Sequence, residues 1–110
     1  MHWREFSMGS TIGEVGSEWG VIVADESYDD GTRITLERST RLAPFAITCG
    51  LSGWLVHTRF FEFEAEARSQ FDAMKEALAR MTEAVRSVDN AQPNDASIGR
   101  LCQEFVEQFP

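Results

Sequence analysis

The polar residues best suited to chemistry are His57, Arg59 and Thr48. An imidazole and a guanidinium two residues apart share one face of a strand, where they could hold an anion or a carboxylate-bearing ligand. No loop motif accompanies them, so an ordinary interfacial face is the stronger expectation. Cys49 would need His57 within reach to act as a nucleophile. The pairing argument below puts the two on opposite faces, which sets that dyad aside.

Other constellations are weaker. Glu62, Glu64 and Glu66 would align as ligands along a strand, but no second histidine lies nearby. Their place just before a helical stripe suits charge complementarity at a helix start. Asp25, Glu26, Asp29 and Asp30 lack the spacing and closing glutamate of a calcium loop, and read as a solvated hairpin tip. Gly9, Gly13 and Gly16 have no following lysine, so they make no phosphate loop. Ser10 and Ser52 lack the flanks of a nucleophile elbow. No acid, base and nucleophile converge, and we expect no catalytic residue, no metal site and no cofactor.

The positioning elements come in two halves. Residues 19–28 and 32–38 read as strands joined at Asp29-Asp30-Gly31, where the glycine can take positive φ. Residues 44–51 and 54–61 form two more runs around Ser52-Gly53. Short connections favour antiparallel neighbours. Residues 3–8 add an edge strand, or residues 1–17 stay loose around their glycines. From Ala67 the apolar positions Phe71, Met74, Leu78, Met81, Val85 and Val88 follow at 4-3 spacing, a helix of about 25 residues. Residues 90–94, with Pro93, break it, and Asp95 caps a second helix burying Ile98, Leu101, Cys102, Phe105, Val106 and Phe109. The expected fold is a single α+β domain. A four- or five-stranded antiparallel meander precedes a long amphipathic helix and a shorter C-terminal one.

A loop of two or four residues at Ser52-Gly53 fixes the faces of the last hairpin. One face then collects Phe45, Ile47, Cys49, Leu51, Trp54, Val56, Thr58 and Phe60, the side expected under the long helix. The other collects Ala46, Thr48, Leu55, His57, Arg59 and Phe61. That second face is too apolar for comfortable solvation, so Leu55, His57, Arg59 and Phe61 are the candidate ligand or partner face. The long helix, about 38 Å at 1.5 Å per residue, would overhang a four-strand sheet of about 20 Å. The apolar end at Val85 and Val88 then needs cover from the second helix or a second copy of the chain. Helix-on-sheet packing explains the stripe better than a coiled-coil seam.

Composition narrows the partners. The 110 residues carry 18 acids and 10 bases, a formal charge of −8, with 43% hydrophobic residues. That suits one domain with a real core. The basic excess is confined to four arginines between residues 32 and 61, a weak footprint for a polyanion, so nucleic acid and an anionic membrane surface are not expected. A basic protein partner fits the charge. Two cysteines without a close-spaced motif, and no apolar leader or membrane-length run, point to buried thiols in the cytoplasm. The expected role is a non-enzymatic interaction module, most simply a homodimer. The alternative is a small-molecule binding domain with a pocket between sheet and long helix, lined by Trp54, Phe60 and Phe71.

Overall fold

The computed structural model describes residues 2–29, 31–88 and 96–110. Five strands form one antiparallel sheet in sequence order: β1 (Arg4–Glu5), β2 (Val21–Tyr28), β3 (Thr32–Arg38), β4 (Phe45–Leu51) and β5 (Leu55–Phe61). Helices α1 (Glu64–Arg86) and α2 (Ala96–Gln108) follow, completing an α+β fold. The expected edge strand over residues 3–8 is reduced to the two residues of β1, because the chain turns away at Phe6–Gly9, where Ser7 and Met8 take left-handed backbone with φ of 49° and 55°. Asp30, the break at residues 90–94 and the proposed Asp95 cap lie outside the described residues.

Local chemistry accounts for the boundaries. β3 alternates apolar Ile34 and Leu36 with polar Arg33, Thr35 and Glu37, and the alternation faces two different layers. At the β2–β3 turn, Asp29 rather than Gly31 takes the left-handed backbone, with φ of 57°. Its carboxylate pairs with Arg86 at the end of α1. Aspartate tolerates this conformation better than most residues because of its short polar side chain. α1 opens with Glu64 and Glu66 and ends with Arg86, charges that complement its dipole at both ends.

One layer of core lies between the sheet and the helices. Ile34, Leu36, Ile47, Cys49, Leu51 and Phe61 of the sheet meet Ala67, Phe71, Met74, Leu78 and Met81 of α1. α1 therefore packs on the sheet, as its stripe implies, and spans about 35 Å at 1.5 Å per residue. α2 folds back and adds Ile98, Cys102, Phe105 and Phe109 to the same cluster, against which Val85 and Val88 are half-buried. The expected overhang is thus at least partly covered within the chain. Polar ties cross the layer where it meets the β2 side. Tyr28 donates to Glu83 at 2.8 Å, Lys75 pairs with Glu26 at 2.7 Å, and the hydroxyls of Thr32 and Thr82 bond at 2.7 Å.

Candidate functional site

The β4–β5 hairpin overturns the expected face assignment. Leu51 pairs with Leu55, Cys49 with His57, Ile47 with Arg59 and Phe45 with Phe61. The connection holds three residues, 52–54, rather than two or four. Gly53 has φ of +81°, and the Trp54 N–H donates to the Leu51 carbonyl at 2.9 Å. That is a tight turn with glycine at the position that requires positive φ. Its twist does not suit a two-residue hairpin, so one further residue, Trp54, precedes the ladder. A one-residue change of register exchanges every side chain of β5 between the faces.

Leu55, His57, Arg59 and Phe61 consequently share the helix-covered face with Phe45, Ile47, Cys49 and Leu51. There His57 and Arg59 hold the end of α2. His57 Nε2 lies 2.6 Å from the Phe109 carbonyl oxygen, and the ring stands edge-on to Phe105. The Arg59 Nε–H donates to the main-chain oxygen of Pro110 at 3.0 Å, and a terminal N–H donates to Gln70 Oε1 at 2.7 Å. The rings of Phe61 and Phe109 lie within 4.9 and 5.5 Å of the Arg59 guanidinium. Burial lowers the pKa of this guanidinium, and the charge of Glu66 opposes the shift. Thr48, expected beside His57 and Arg59, pairs instead with Thr58 on the opposite face, hydroxyl to hydroxyl at 3.3 Å.

Cys49 and His57 are therefore direct cross-strand neighbours, contrary to the expectation from the sequence. Proximity alone does not make a nucleophile. Cys49 is 2% exposed, and burial pushes its thiol up to about 12, against the weaker opposing effects of Arg59 and the His57 backbone. The thiol is protonated throughout the physiological range. Cys102 is also a buried free thiol, shifted upward by burial. Glu62, Glu64 and Glu66 are exposed, and Glu64 pairs with Arg68 at 2.8 Å. Among the described residues, no group of three or more His, Cys, Asp or Glu side chains is placed to hold a metal ion.

The outer face of the sheet carries features that face parity had hidden. Two buried carboxylates fasten the glycine-rich segment of residues 9–20 to it. Asp25 accepts from Arg33 at 2.9 and 2.6 Å, from Thr11 at 2.8 Å and from Thr35 at 3.0 Å. Burial pushes this carboxyl up, but the hydrogen bonds and the Arg33 charge outweigh it and hold the pKa below the ordinary value. Glu37 accepts from the backbone N–H groups of Glu18 and Gly20 at 3.2 and 3.0 Å. A Cβ at Gly16 would stand 2.6 Å from Glu37 Oε1, so this close approach requires glycine.

The fastened segment walls one side of a groove of about 410 Å³, with Thr35, Thr48, Gly50 and Val56 among its other lining residues. Of its lining, Val15 and Val56 are 66% and 83% exposed; Phe60, two residues along β5 from Thr58, is 41% exposed, and Trp19, at 64%, lies under the Arg41 guanidinium. Because Phe60 points outward while Phe71 is core, Trp54, Phe60 and Phe71 do not line a common pocket as the binding-domain alternative required. A second groove, about 290 Å³, runs between α1 and α2 past Ala77, Met81, Leu101 and Phe105. Compared with known proteins, the chain matches no family model, no curated protein and no solved structure. No helix among the described residues is long and apolar enough to cross a membrane.

Proposed function

We propose that the chain is a non-catalytic protein-interaction module that self-associates as a homodimer through the part of its sheet that the helices leave uncovered, at β5. The observation that carries this reading is the pair of exposed apolar side chains on β5, Val56 and Phe60, with Val15 lining the same outer groove as Val56. Polar groups that could make this face an anion or substrate site are already engaged: Arg33 is bound to Asp25, and Glu37 to backbone N–H groups. Aromatic and branched apolar side chains in that setting supply anchors for a partner. The net charge of −8 favours a basic protein as any further, foreign partner. Light scattering over a tenfold or wider concentration range tests the reading. Wild type should gain mass toward that of a dimer, and Val56→Lys should remain at monomer mass. A wild-type monomer at every concentration would refute it. A charge at Leu55 or Phe61 would not test it, because both side chains pack against the core, where burying a charge destabilises the fold itself.

A further inference from the structure

We infer that the contact between copies is made by the β5 edge, pairing antiparallel with β5 of a second copy about a twofold axis at Thr58. This rests on the self-association proposed above and specifies how it occurs. β5 ends the sheet order, and among the described residues no strand pairs with its outer edge. An unpaired edge is usually blunted by proline, a bulge or a charged side chain, and the one charged residue of β5, Arg59, is tied inward to Pro110 and Gln70. The strand Leu55–Phe61 contains no proline or lysine, and its ladder with β4 runs without a bulge. Its inward-facing His57 and Arg59 are engaged by the end of α2.

Self-complementarity selects the occupant and the register. Thr58 is the middle residue of the seven in β5, so an axis there pairs all seven. It sets Val56 opposite Phe60 of the partner on the outer face, and on the covered face Leu55 opposite Phe61 of the partner and His57 opposite Arg59 of the partner. Moving the axis to residue 57 or 59 would leave Val56 or Phe60 opposite a threonine and two strand residues unpaired. Charge points to the same edge. The outward-facing positions Val56, Thr58 and Phe60 are uncharged in a chain of −8, so on that face the copies meet without charges in opposition, and Arg59 meets only the imidazole of His57. The competing edge, β1, has two residues, one basic and one acidic.

Area sets the strength. A strand of this length presents about 24 Å of edge, and with a sheet thickness near 10 Å it buries on the order of 500 Å² in total. A stable dimer needs about 1,200 Å² or more. Edge pairing therefore describes a reversible dimer that dissociates on dilution.

The test uses nitroxide labels on Val56→Cys, Thr58→Cys and Phe60→Cys variants of the full chain, with the mass and circular dichroism of each labelled sample recorded. Opposite Cα atoms lie about 5 Å apart, and positions two residues either side of the axis about 14 Å from their own copies. Dipolar broadening should be strongest at position 58, weaker and equal at 56 and 60, and lost on dilution. A dimer with no broadening, or with unequal broadening at 56 and 60, would overturn the pairing while leaving self-association standing. Monomer mass for wild type would overturn both.

Discussion

Asp25 shows how a charged side chain can be structural on a surface that otherwise resembles a binding site. Its depressed pKa means that it contributes stability fully above about pH 4, the ordinary carboxylate range, and loses it as pH falls through the lower folded value. Acid should therefore release residues 9–20 from the outer face. Chemical shifts of Thr11 titrating together with Asp25 would show this, and an Asp25→Asn variant should lose the dependence. Gly16→Ala attacks the same attachment through Glu37 and should destabilise the chain by about 1–3 kcal/mol in urea denaturation. At Cys49 the argument concerns reactivity. A buried thiol near 12 should resist iodoacetamide at pH 8 and react once the chain is denatured. Rapid alkylation of the native protein at Cys49 would contradict that burial.

At the scale of elements, the hairpin turn has consequences out of proportion to its length. Gly53→Ala imposes a left-handed backbone on a residue with a Cβ and should cost about 1–2 kcal/mol, read from the urea midpoint. His57→Ala removes the bond to the Phe109 carbonyl and should cost about 1 kcal/mol. Amide exchange should accelerate chiefly in α2, because that contact anchors its end rather than the sheet. Uniform acceleration would mean that α2 is not separately held. Much of this architecture was legible in sequence. The alternation of β3 and the stripe from Ala67 to Met81 each fixed an element and its buried side. Parity at residues 52–54 was not, because one residue of loop length inverts β5 and leaves its composition unchanged. The candidate site was read wrongly for the same reason: His57 and Arg59 looked like surface groups when they in fact secure a helix. The attachment of residues 9–20 was also hidden, since it depends on carboxylates contributed by distant strands.

For the whole molecule, register decides which surface the protein shows to others. One assignment offers Leu55, His57, Arg59 and Phe61; the observed one covers them and exposes Val56 and Phe60. Self-association and the anchoring of α2 both depend on the second. The direct measurement is the pattern of cross-strand nuclear Overhauser effects in the β4–β5 hairpin. Cys49 should show backbone contacts with His57, and Ile47 with Arg59, while the Val56 side chain shows none to α1 or α2. Contacts from Cys49 to Val56 instead, with His57 free of Phe109, would contradict the account and return the partner surface to the other face.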